Sequence, residues 1–193
     1  FILNSTSGAP SLDNNNAHTG VTSLKVPVSD YVQYTSPTIG SSVYTNFTPE
    51  SQETYHVSLW VKQKSSSSVA TLTVLNNGSP LASCTTSVNN QKIEGWQRLE
   101  LDFLTPSSNT IEIKIGASGD DVYLDDIRVQ PFTSGMKTYV YQTDTYWLDA
   151  ELDDRNYATF YSYDSEGKLV QIKKETKDGL RTIMSNRMNV HQK

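Results

Sequence analysis

Apolar residues recur at every second position in several short stretches, the period of a half-buried strand. In Tyr55 to Lys62 one face carries Tyr55, Val57, Leu59 and Val61. In Gln97 to Phe103 it carries Leu99, Leu101 and Phe103, and in Ile111 to Ile115 three isoleucines point one way and charges the other. Ser23 to Val26, Val43 to Phe47, Ala70 to Leu75, Leu81 to Ser87 and Val122 to Val129 are further predicted strands. Asn77-Gly78 is a tight-turn signal, and Ser118-Gly119-Asp120-Asp121 is a second turn. No stretch sustains a helical period with caps. Many short strands separated by turn clusters predict a β-sandwich or jelly roll.

Pro131 to Gly135 break the pattern, and the predicted domain boundary falls there, giving units 1–132 and 136–193. Beyond it, Lys137 to Tyr141, Tyr146 to Leu152, Ala158 to Tyr163, Leu169 to Glu175 and Leu180 to Asn186 read as five consecutive strands. Asp164-Ser165-Glu166-Gly167 suits a type I turn with Gly left-handed, and Lys177-Asp178-Gly179 suits a hairpin. The fold class expected is all-β: a jelly-roll β-sandwich followed by a small antiparallel β-meander.

Composition narrows the function. Hydrophobic residues make up 36% of the 193 and charged residues 19%, a polar balance that suits short strands on an extracellular surface. The net charge is −5, and no basic patch with interleaved aromatics points to nucleic acid. From Gly135 onward nine basic residues balance nine acidic ones, so the negative charge belongs to the first unit. No apolar run approaches the roughly 20 residues of a membrane span. Phe1 is not an initiator Met, and the chain reads as an internal excerpt of a larger protein. Cys84 is the single cysteine, so no internal disulfide forms.

Three segments of the first unit stand out: Ala17-His18-Thr19-Gly20 followed by Ser23-Leu24-Lys25-Val26, Gly95-Trp96 leading into Leu99-Glu100-Leu101, and Val122-Tyr123-Leu124-Asp125-Asp126-Ile127-Arg128-Val129. In that order they resemble the turn and strand, the Gly-Trp strand start and the last strand of the jelly-roll carbohydrate-binding modules found beside bacterial polysaccharide-degrading enzymes. The family's opening strand with a Phe-Glu pair has no counterpart here. In the second unit, Tyr161-Ser162-Tyr163-Asp164-Ser165-Glu166-Gly167-Lys168-Leu169 resembles a tyrosine–aspartate (RHS-type) repeat, a non-catalytic scaffold. Tyr139-Val140-Tyr141-Gln142 is a degenerate earlier copy. The combination resembles large exported proteins of Bacteroidetes-like bacteria. It implies a secreted or cell-surface location, with other domains of the parent chain as neighbours.

Catalysis finds no players. His18, His56 and His191 lie in a turn, a strand and a tail, and Cys84 has no evident base. Asp125-Asp126 and Asp153-Asp154 alternate across a strand, so neither pair is expected to form a two-carboxylate site. A metal is the next expectation. Strand parity sets Asp125 with Ile127 and Val129 on the apolar side, where a carboxylate needs a partner. A structural calcium ion held by Asp125, with charge from Asp13 or Asp30 and carbonyls from the turn after His18, is the ligand set considered. The resemblance implies calcium there too. Without an ion, Asp125 caps loop N–H groups or pairs with Lys25.

Sugars present C–H faces to aromatic rings and hydroxyls to polar side chains. Trp60 shares the polar face of its strand with His56, Ser58 and Lys62. A Trp on such a face calls for a cover: a sugar, a loop or the second unit. Trp60, His56 and Lys62 are therefore candidate ligand residues, with Tyr31, Tyr34 and Tyr44 near predicted loops. Trp96 reads as an edge seal; Trp147, Tyr157, Tyr161 and Tyr163 read as scaffold. The expected function is a non-catalytic module that binds a polysaccharide or other glycan. The rival is a structural or adhesive spacer with no ligand.

Overall fold

The strands follow the alternation. The computed structural model describes residues 10–37, 47–87, 90–108 and 110–186. The first unit contains β1 (Ser11–Asp13), β2 (Ser23–Val26), β3 (Tyr31–Thr35), β4 (Thr54–Gln63) and β5 (Val69–Asn76). It continues with β6 (Ser79–Thr85), β7 (Trp96–Leu104), β8 (Ile111–Ser118) and β9 (Val122–Pro131). The second contains β10 (Thr138–Tyr141), β11 (Leu148–Leu152), β12 (Ala158–Tyr163), β13 (Leu169–Thr176) and β14 (Gly179–Ser185). The described residues form no helix.

The first nine strands form two sheets, ordered β1-β2-β9-β4-β7 and β3-β8-β5-β6. The chain crosses between them repeatedly, and every pairing is antiparallel, as a jelly-roll sandwich requires. Val57, Leu59 and Val61 of β4 meet Leu72 and Val74 of β5 and Ile111, Ile113 and Ile115 of β8 in one core, all essentially inaccessible to water. Each such side chain contributes about 1.5–3 kcal/mol of burial. Asn77 and Gly78, both at positive φ, turn β5 into β6 as the Asn-Gly signal predicts.

Two segments depart from the sequence reading. Tyr31–Thr35 is a strand, not a loop: Val32 and Tyr34 point into the core and Tyr31, Gln33 and Thr35 point out. Its five residues lie between Pro27 and Pro37, too short a run for its period to register. Most of the predicted strand Val43 to Phe47 lies outside the described residues.

The last five strands form a separate sheet in chain order, β10-β11-β12-β13-β14. This is the up-and-down meander the turn signals predict. Gly167, at a φ of 81°, closes the β12–β13 turn, donating its N–H to the Asp164 carbonyl at 3.1 Å. Asp164 Oδ1 accepts the N–H groups of Glu166 and Lys168, an Asx turn that fixes the loop. One face of the meander carries Ala150, Leu152 and Ala158, all at 0% exposure. The two alanines there let the meander sit close against its neighbour.

Candidate functional site

That neighbour is the outer face of β4 and β9. Trp60 points outward from β4, as parity predicts, but it is 1% exposed. The His18 ring stacks on it at 4.2 Å and 19°, and Tyr157 meets it edge-on at 5.8 Å. Its indole Nε1 donates to the Asn156 carbonyl at 2.6 Å. The cover that Trp60 calls for comes from the meander and the His18 turn. As an open stacking platform the expectation for Trp60 is corrected: its strand is buried on both faces from Val57 to Val61.

The seam around Trp60 is strongly polar: several of its donors reach backbone carbonyls, while Asn156 Oδ1 is buried without a partner. Asn156, at a φ of 65°, donates to the Asp126 carbonyl at 2.9 Å and to Ser58 Oγ at 3.4 Å. Arg128, buried on the outer side of β9, donates to the Asp153 carbonyl at 2.7 Å and to the carbonyls of Leu152 and Met136 at longer range. Arg98 stacks on Tyr157 at 4.7 Å and donates to the Arg155 carbonyl. Buried backbone carbonyls left without such partners would each weaken folding by about 1–3 kcal/mol.

A β-bulge builds the centre of the seam. Ser58 pairs with Arg128 while Trp60 pairs with Asp125, so β9 carries one extra residue opposite β4. Asp126 takes a left-handed φ of 48° there. Parity is therefore broken: Leu124 before the bulge and Ile127 and Val129 after it all pack on the core. Both carboxylates turn to the 17–19 loop, contrary to the expectation that adjacent residues diverge. Asp125 Oδ2 accepts the N–H groups of His18 at 2.8 Å and Thr19 at 3.4 Å, and its Oδ1 accepts the N–H of Asp126. Burial, with the Asp126 charge beside it, pushes the Asp125 carboxyl up to about 6.

His18 joins the two units. Its Nδ1 lies 2.7 Å from Asp126 Oδ2 and its Nε2 lies 2.9 Å from Glu175 Oε1 on β13. Burial opposes charge on this ring. The hydrogen bonds and charges of Asp126 and Glu175 outweigh it and push the imidazole up to about 9. Glu175 Oε2 accepts the Ala158 N–H at 2.8 Å, so both its oxygens are engaged.

Beside this network the seam opens into a cleft of about 330 Å³. Its sandwich wall carries Lys62, Glu94, Trp96 and His18; its meander wall carries Phe160, Ser162, Lys173, Glu175 and Leu180. Phe160 and Leu180 make an apolar floor backed by the buried Trp96, whose ring lies 6.0 Å from Lys62 Nζ.

The other expected residues scatter. His56 is half-buried beside Asp102 at 2.6 Å and Glu100 at 3.7 Å, at a distant point of β4. Tyr31 lies on the outer face of the other sheet, with Lys114 Nζ over its ring at 3.6 Å. Tyr34 is 3% exposed in the core against Phe47, so it lines no groove. Tyr44 lies outside the described residues. Asp13 caps its own turn, accepting from the N–H groups of Asn15 and Asn16 and from Asn16 Nδ2. Asp125 is a cap for loop N–H groups, one of the two alternatives to an ion. Among the described residues no three His, Cys, Asp or Glu side chains are gathered as a metal would need. The N–H groups of His18 and Thr19 take up Asp125 Oδ2, and the N–H of Asp126 takes up Oδ1.

Sequence reasoning missed His18, Asp126, Glu175, Asn156, Lys173 and Phe160 as site residues. For the first two a signal existed, a His in a short turn facing an Asp-Asp pair on a strand. For Glu175, Asn156, Lys173 and Phe160, which join the site only through tertiary packing, there was none.

No family model matches the chain, and no curated protein matches its sequence. Solved structures similar to it include the CBM22-1 xylan-binding domain from Paenibacillus barcinonensis Xyn10C, at 12% identity and TM-score 0.48, covering 68% of this chain and 86% of that one. A family 35 carbohydrate-binding module from an environmental isolate shows 20% identity and TM-score 0.46, covering 68% of this chain and 89% of its own. TmCBM61, in complex with beta-1,4-galactotriose, shows 16% identity and TM-score 0.41, covering 67% and 87% respectively.

Proposed function

We propose that this protein is a non-catalytic glycan-binding module of a larger secreted or cell-surface protein, with its ligand cleft at the seam between sandwich and meander. The observation behind this reading is the cleft itself. An apolar floor of Phe160 and Leu180, backed by the buried Trp96, is ringed by Lys62, Lys173, Ser162 and Glu94. That is the pairing of ring faces and hydroxyl partners that a sugar needs. The test is affinity electrophoresis and calorimetry against xylan, galactan and polyuronates. Phe160→Leu keeps the apolar volume but removes the flat ring, and it weakens binding by roughly tenfold while the melt stays unchanged. A chain that retards on no polysaccharide ends this reading.

A second reading, the structural spacer, has one observation in its favour: the meander covers Trp60 and fixes the angle between the units. In it the meander is a repeat-type scaffold, and the Tyr161 to Leu169 hairpin is its unit. A structural calcium ion at Asp125 is a separate proposal. It rests on Ser23 Oγ, buried without a partner, which lines one depression with Asp125. A melt that ignores both chelator and added calcium removes it.

A further inference from the structure

The free groups of the seam cleft specify more than a sugar. Of the carboxylates and cations lining it, Glu175 and His18 are spent on one another, and Glu175 also accepts from the Ala158 backbone. Lys62 and Lys173 are different. Both are half-buried, one on each wall, and neither has a carboxylate within ion-pair distance among the described residues. Lys25, Lys64 and Lys137, by contrast, pair with Asp121, Asp120 or Glu151. A half-buried lysine covers apolar surface with its stem and keeps its ammonium in water, where an anion entering the cleft can meet it. Ser162, exposed on the meander wall, and Glu94, exposed on the sandwich wall, supply a hydroxyl and an acceptor for sugar hydroxyls.

We propose that the cleft selects acidic glycans, seating a uronate carboxylate between Lys62 and Lys173 with the sugar ring over the apolar floor. The proposal rests on the glycan reading above and adds the class of sugar. Because the two lysines belong to different units, the ligand bridges the seam. A point charge on a flexible stem suits a carboxylate presented at the edge of a ring, where a rigid fork is not needed.

The experiment uses the full chain and four probes: polygalacturonate, the same polymer fully methyl-esterified, xylan and galactan. Esterification removes the negative charge and keeps the sugar backbone. Polygalacturonate is expected to bind at least roughly tenfold more tightly than its ester, with affinity falling as salt rises. K62Q and K173Q are each expected to weaken it by roughly tenfold, with unchanged melting midpoints. Equal binding of polygalacturonate and its ester, or preference for xylan or galactan, overturns the acidic class and leaves the glycan reading standing. Retained affinity in both lysine variants moves the site elsewhere and overturns the proposal. Binding to none of the four overturns this inference and the glycan reading together.

Discussion

The sandwich has two outer faces built by the same alternation, and they meet different fates. The outer face of β3, β8, β5 and β6 carries Gln33, Thr35, Lys114, Thr71, Thr73 and Ser83 and stands open to water. The outer face of β4 and β9 carries Trp60, Tyr123 and Arg128 and is shut beneath the meander. Strand parity alone cannot tell them apart. Side-chain size does: Thr and Lys need no cover, whereas an indole at an outward position has too much apolar surface to leave wet. The outward indole of Trp60 marks an interface, whereas Tyr31 on the open face stays half-buried beneath Lys114, and the sequence does not say what Trp60 packs against.

The comparison breaks or sharpens at four points. Trp60→Ala strikes the closed face hardest, lowering unfolding free energy by about 3–5 kcal/mol in urea denaturation. A loss under about 1 kcal/mol, the range of an ordinary surface change, means the seam is not packed. Next comes pH. The unfolded imidazole titrates near 6.5 and the folded one near 9, so the folded state holds the His18 proton more tightly between those values. That stabilisation, about 3 kcal/mol, is whole below pH 6.5 and drains away as pH rises through 9. Stability measured from pH 6 to 10 shows the decline, and His18→Gln flattens it. If the wild-type profile is already flat, the ring is neutral in the seam.

Asn156→Ala is a smaller insult. It removes the bonds to Asp126 and Ser58 and places Ala at a left-handed φ of 65°, lowering stability by about 1–3 kcal/mol. Asn156→Gly keeps the backbone free and recovers part of that, which separates strain from hydrogen bonding. On the open face, Lys114→Ala loses only its position over Tyr31, about 0.5–1 kcal/mol. A larger loss there means the two faces are less different than their composition implies.

Most strands were legible because one face of each is buried and period 2 is unmistakable in Ile111 to Ile115 or Tyr55 to Val61. Asn77-Gly78 and Asp164 to Gly167 were legible because positive φ selects residue type. Tyr31–Thr35 was not: with Tyr at both its first and fourth positions, its parity reads either way. The bulge at Asp126 was invisible too, and it misplaced Asp125, since one inserted residue reverses every parity argument downstream. Trp60 was singled out correctly as needing a cover. Its cover was hidden because Asn156 and Tyr157 approach it only after the meander has folded back.

The bond between His18 and Glu175 spans 157 residues of chain. It sets an order of events during folding. The β10–β14 hairpins can form on their own, since their contacts are local, and β5–β6 likewise. The first sheet must wait, because β2 has no inner neighbour until β9 is available. The histidine finds its last partner only when nearly all described strands have been made. A chain stopped before β13 has a sandwich with an aromatic, charged flank still wet, so such species are the ones exposed to aggregation and proteolysis.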